Sequence, residues 1–179
     1  MMPKHGFTLV ELMVALALSS LLVLGVGSAF ISIKQTAGQI KQLETAQEVI
    51  RSSQIVLSRS LKQAASALVV DAELLVTHNA ATGTVTDCLG QTQTAAFTER
   101  FRWQGELLQC QVAAGDWVTL LSGISAAQFN VADQLVSVRL ASPGLADNFP
   151  AADLTGDGQP ERFIQLDFAL KSQILADNT

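Results

Sequence analysis

The sequence predicts an α+β fold, one long N-terminal helix followed by a mainly antiparallel β-sheet, and three observations carry that reading. Apolar residues fill the chain from Phe7 to Ile33, with Glu11 as the only ionisable side chain. Beyond Ile33 apolar residues return at spacings of three, four or seven, as they do along one face of a helix. Past Val69 the pattern becomes short apolar or alternating runs separated by turn residues. No strand and helix alternation recurs there, which points to antiparallel pairing.

The apolar run comes first. A helix needs about 20 apolar residues to cross a bilayer core at roughly 1.5 Å per residue, and Phe7 to Ile33 is long enough. A secretory signal would place a small-residue cleavage site after a shorter apolar core. Here "MMPKHG" precedes the core and the hydrophobicity runs on into a polar helix, so the segment reads as retained. Lys4 and His5 stand before it, and Lys34 and Lys41 after it, which decides orientation only weakly.

Ala37, Ile40, Leu43, Ile50, Leu57, Leu61, Ala64 and Leu68 then continue as one stripe, and no proline falls between Phe7 and Pro143. The two stretches read as one rod reaching about Ala67, its second half laid on a sheet. Sixty residues of helix measure about 90 Å, too long to pack entirely within a domain of this size. Gly25 and Gly27 are the weak point of the rod, or else places where another membrane helix packs closely.

The strand-like runs are "ELLV", "AAFTERFRW", "ELLQCQV" and "WVTLLSGI", with the polar loop "THNAATGTVTD" after the first. Gln104-Gly105 reads as a tight hairpin with Cys110 on its second arm. "AAQFNVADQLVSVRLAS" supplies another pair turning near Asp133. In "RFIQLDFAL" Phe163, Gln165, Asp167 and Ala169 oppose Ile164, Leu166, Phe168 and Leu170, the pattern of a half-buried strand.

Composition narrows the function. The chain has 179 residues, a net charge of -5 and a pI near 4.9, with no Lys/Arg cluster, which argues against nucleic acid as a partner. The only cysteines, Cys88 and Cys110, can close a loop in an oxidising compartment, a bridge worth roughly 3 kcal/mol, or stay as two buried thiols. Zinc lacks ligands, since His5 precedes the apolar run and His78 stands alone in what reads as a solvated loop. No phosphate loop, HExxH or GxSxG occurs, and no enzyme activity is expected. Trp103 and Trp117 read as strand packing rather than as a carbohydrate surface.

"DLTGDGQPE", residues 153 to 161, allows two readings. Asp153, Thr155 and Asp157, with Gly158 for the sharp turn, match the first half of an EF-hand-like calcium loop. In the second half Ile164 stands where a bidentate glutamate is expected, although Glu161 could reach back as a substitute. The other reading is an acidic Gly/Pro turn before the last strand, with no cofactor.

Gly6 followed by "FTLVEL" and an unbroken apolar helix resembles the N-terminus of a type IV pilin-like precursor. "TDCLG", an aromatic strand, "LLQCQ", a tryptophan, "LLSGI" and "VSVRL" are similar to the PilW family of minor pilins, with a weaker likeness to J-type pseudopilins of type II secretion. The proline that major pilins carry in the membrane helix is absent; Ser28 stands at the matching position. The resemblance implies a pilin-like fold divided into a leader peptide at 1–6, a transmembrane half of the helix at 7–33, an amphipathic half at 34–68 and a periplasmic β-rich region at 69–179.

It implies further that a prepilin peptidase cuts after Gly6 and methylates the amine of Phe7. Other minor pilins and the major pilin would then be its partners, in a complex that primes or tips a type IV pilus. A pseudopilus subunit and an adhesin-like tip subunit are the alternatives. The location implied is the inner membrane before assembly and the pilus at the cell surface afterwards. A carboxylate inside a bilayer costs at least about 2.5 kcal/mol at a helix centre, so Glu11 calls for an explanation. In pilin packing, the resemblance implies, Glu11 pairs with the new Phe7 amine of a neighbouring subunit. The alternative is a glutamate that stays hydrated among the headgroups.

Overall fold

A computed structural model describes residues 8–79 and 83–170. Gly6, Phe7 and the leader fall outside the described residues. The chain divides into two compact units, one ending at Lys41 and one beginning at Gln42. A single helix, α1 (Leu9–Gln63), contributes to both.

Within the first unit every described side chain is exposed. The helix is unbroken through Gly25 and Gly27, and a Cβ on either would meet nothing within 4 Å. Ser19, Ser20 and Ser28 turn their hydroxyls back onto the carbonyls of Leu16, Ala17 and Gly25 at 3.0, 2.8 and 2.9 Å. These polar groups are thus satisfied inside the helix, as an apolar medium requires.

In the second unit α1 packs on β-structure. Ala46, Ser53, Leu57, Ser60 and Leu61 are its buried residues. The expected stripe is therefore only partly right. Leu57, Leu61 and Ala64 are buried, whereas Ala37, Ile40 and Leu43 are exposed. Small side chains at 46, 53 and 60, seven residues apart, share the buried face with the leucines.

The helix also stops at Gln63 instead of reaching Leu68. Ser66–Val70 forms β1, which pairs with β2 (Glu73–His78) across a turn in which Asp71 and Ala72 both have positive φ. The strand pairing starts at once, with the Ala65 amide bonding Thr77 O at 2.7 Å. Helical spacing at Ala64 and Leu68 loses to a hairpin in which β1 pairs with β2 along its whole length.

Where one sheet was expected, the structure has three, all with antiparallel pairing among the described residues. The first has the order β1-β2-β5-β6-β7, adding β5 (Phe97–Gln104), β6 (Leu107–Val112) and β7 (Val118–Ser122). The second is β10-β11-β9-β8, from β8 (Ala126–Ala132), β9 (Leu135–Ala141), β10 (Ala151–Ala152) and β11 (Glu161–Ala169). A short ribbon of β3 (Val85–Thr86) and β4 (Thr92–Gln93) lies in and after the stretch read as loop. Gln104 pairs with Leu107, so the β5–β6 turn is Gly105-Glu106, one residue later than read, with positive φ at both as a two-residue hairpin requires.

One core joins the helix to both larger sheets. It contains Leu57 and Leu61 of α1, Leu74 and Val76 of β2, Phe101 of β5, Leu108 of β6, and Phe129, Val136, Val138 and Leu140 of the second sheet. A smaller cluster of Ala126, Ala141 and Phe163 lies under Trp103 and Leu154. Trp103 donates to Ile124 O at 2.8 Å, and Trp117 lies half-buried with the Arg102 guanidinium 3.9 Å from its ring centre.

On the other face of the second sheet two cross-strand rows run in register. Gln128, Arg139 and Gln165 form one, with the Arg139 guanidinium donating to both glutamines at 3.1 Å. Asn130, Ser137 and Asp167 form the next, with Ser137 donating to Asp167 at 2.6 Å.

The loop after β9 meets the helix at Gly144. Its φ is +93°, and a Cβ there would lie 2.8 Å from the Gln42 carbonyl oxygen. Gly144→Ala is expected to lower stability in chemical denaturation by more than the about 1–3 kcal/mol that backbone strain alone costs. Gly156→Ala, with φ +81° and open space around it, isolates the strain component.

Candidate functional site

The first described residues form a cap. Thr8 precedes α1, and its Oγ1 accepts from the Glu11 amide at 3.3 Å. Thr8 and Glu11 thus stand at the N-cap and third helical positions, the spacing of a capping box, which the reading of the sequence missed. Glu11 also places a negative charge in the first turn, where the helix dipole favours it. Part of the case for a glutamate here is therefore local to the helix.

The helix behind this cap is long and apolar enough to cross a membrane, and none of that stretch is buried within the chain. Leu22, Val23, Val26, Gly27 and Phe30 form a shallow apolar hollow on its surface.

The largest departure from the sequence reading is His78. It is fully buried at the end of β2, 4.6 Å from the Phe97 ring in a stacked arrangement, and not in a solvated loop. Its Nε2 lies 3.1 Å from Oε2 of Glu99, which is equally buried on β5. Ser60 of the helix donates to the same oxygen, and the Cys88 amide donates to Oε1 at 2.6 Å. On the other side His78 Nδ1 faces the Gln63 carbonyl at 3.3 Å.

Each ring nitrogen thus has an oxygen within hydrogen-bonding distance, Glu99 Oε2 on one side and the Gln63 carbonyl on the other. Among the described residues no buried side-chain nitrogen or oxygen lacks a partner. Ser, His and Glu meet here, yet this is no catalytic triad. Ser60 donates to the carboxylate and lies 3.5 Å from His78 Nε2, the same nitrogen that faces Glu99. Serine and carboxylate thus share one side of the ring instead of flanking it, and all three are sealed from solvent. The cluster ties helix to sheet.

A signal for it was present. Phe97, Glu99, Phe101 and Trp103 alternate along one strand face, as do Leu74, Val76 and His78, so period two puts Glu99 and His78 among core residues. Cys88 and Cys110 are joined in a disulfide, Cα atoms 6.6 Å apart. The bridge fastens β6 to the loop that presents the Cys88 amide. That loop winds around Asp87, whose Oδ1 accepts from the Leu89 and Gln91 amides at 3.0 and 2.8 Å.

The 153–161 loop brings its acidic residues together. Asp153, Asp157 and Glu161 each offer an oxygen within 4.8 Å of the others. These oxygens already have donors. Asp153 accepts from the Gly156 and Gly158 amides at 2.6 and 2.9 Å, and Asp157 from Gln159 at 2.8 Å. Glu161 accepts from the Leu154 amide at 2.8 Å and the Thr155 hydroxyl at 2.9 Å. The Gly158 amide first, and then that of Gly156, hold the Asp153 carboxyl below the usual range for an aspartate. Ile164 lies within β11, in register with Leu140.

Residues 1–27 match the prokaryotic N-terminal methylation motif. No curated protein and no solved structure gives a significant match to the chain. The motif and the apolar helix together support a type IV pilin-like or pseudopilin precursor, anchored in a membrane before assembly and processed by a prepilin peptidase.

Proposed function

We propose that this chain is a PilW-like minor pilin. Its precursor waits in the inner membrane with the β-rich region in the periplasm, is cut after Gly6 and methylated at Phe7, and then joins a priming or tip complex that helps start a type IV pilus. The observation that carries this reading is a methylation motif heading a helix whose apolar side chains find no cover in their own chain. Leu9 to Ile33 must be covered by lipid before assembly and by other helices after it. Other minor pilins and the major pilin supply those helices. The same motif fits a J-type pseudopilin, and only the company the subunit keeps separates the two.

The chain acts in this reading by packing, with no enzyme activity and no metal. The 153–161 loop serves as a turn whose carboxylates are held by its own amides and by Thr155. Glu11 has two tasks, capping its helix and pairing with the Phe7 amine of a neighbour, an amine that exists only after cleavage.

Mass spectrometry of the chain made with a prepilin peptidase is expected to find it lacking Met1 to Gly6 and carrying one methyl group on Phe7. An untouched terminus overturns the reading. Glu11→Ala should leave expression and cleavage intact while incorporation into filaments drops; unchanged piliation removes the pairing role. Millimolar calcium should leave the melting temperature of the folded chain within about 1 °C, whereas occupancy of a real site would raise it by several degrees.

A further inference from the structure

We infer that the Cys88–Cys110 disulfide and the buried Ser60–His78–Glu99 cluster are two halves of one device: closing the bridge completes the lock between helix and sheet. The link is the Cys88 backbone amide, which donates to Glu99 Oε1 at 2.6 Å. The other carboxylate oxygen takes Ser60 and His78. Glu99 is fully buried, so each of its donors offsets part of the cost of holding a charge away from water.

The amide is held in position by the bridge. Cys88 sits on a loop braced internally by Asp87, through Gln91 and Gln93, and tied to the helix by the Thr86 amide bonding Gln63 Oε1 at 3.1 Å. Cys110 lies on β6, opposite Phe101 of the strand that carries Glu99. With the bridge open, the loop keeps its internal bonds and the β3–β4 pairing but loses its covalent tie to β6, and the Cys88 amide is held less firmly against Glu99. The helix then feels the loss through Ser60, which lies 39 residues from Glu99 in sequence but shares its oxygen.

The chemistry is thiol–disulfide exchange. One of the two thiols attacks a small-molecule disulfide, forming a mixed disulfide and releasing one small thiol. The other then attacks the protein sulfur of that mixed disulfide, closing the bridge and releasing the second small thiol, so that the two hydrogens of the protein thiols end on the two small thiols. An oxidising compartment supplies such a disulfide. By linkage, whatever the bridge adds to the cluster, the cluster adds to the bridge by the same factor.

The test is the equilibrium between bridged and open forms of the full chain in detergent micelles, set against oxidised and reduced glutathione and read by thiol trapping. Ser60→Ala and Glu99→Gln, neither a cysteine nor a neighbour of one in sequence, are expected to shift that equilibrium toward the open form by about tenfold. Ser53→Ala is the control, since its equally buried hydroxyl bonds only Val49 O at 2.8 Å, and it should stay within about twofold of the parent. If Glu99→Gln fails to fold, Ser60→Ala decides, because it removes one hydroxyl, with its contacts to Glu99 and His78, and no ionisable group. Equal equilibria in the parent and both cluster variants overturn the inference, as does a Ser53→Ala shift as large as that of Ser60→Ala.

Discussion

A carboxylate with no access to water organises the second unit. Glu99 draws a serine from the helix, a histidine from β2 and an amide from the disulfide loop onto two oxygens. A buried polar group that loses a donor bears the cost of desolvation without its compensation, so these contacts hold together or fail together. The apolar core around Leu57, Leu61, Leu74 and Phe101 supplies the bulk of the burial but would tolerate small shifts. The polar cluster does not. It fixes the rotation of α1 on the sheet, because only one helical phase points Ser60 at Glu99.

The helix answers to two environments in turn. Up to Ile33 its described side chains are exposed and mostly apolar, and Ser19, Ser20 and Ser28 bond inward. From Gln42 it is the backbone of a core. The change shows in residue size as much as in polarity. Buried positions at 46, 53 and 60 carry alanine or serine, where a leucine would overpack the buried face of the helix.

Much of this was legible in the sequence, and the parts that were not share a cause. The apolar run, the longer strands β2, β5 to β9 and β11, and the β8–β9 turn follow from local pattern, whereas the two-residue strands β3, β4 and β10 do not. Leu68 obeyed helical spacing and still became strand, since hydrogen bonding to β2 is a tertiary fact. His78 read as a loop residue because a lone polar side chain after "ELLV" looks like an end of strand. Only its pairing with Phe97 brings it indoors. Glu99 hid in plain alternation, because a charged residue at an apolar phase is normally discounted. The division into two large sheets was not visible either, as no local signal tells a strand which edge to join. At the acidic loop the sequence brought the right residues together, and the donors each carboxylate takes became plain only with the backbone in place.

The two polar rows on the second sheet bear on how such a surface meets another molecule. Arg139 is clamped between Gln128 and Gln165 and lies 5.3 Å from the Phe163 ring centre, while Ser137 and Gln165 both hold Asp167. Long side chains on a free surface normally lose rotamer entropy when something covers them. Here folding has already removed much of that freedom, through bonds among the residues themselves. The face is therefore a preset relief, with donors and acceptors at fixed positions, and covering it demands a matching shape more than it demands further ordering.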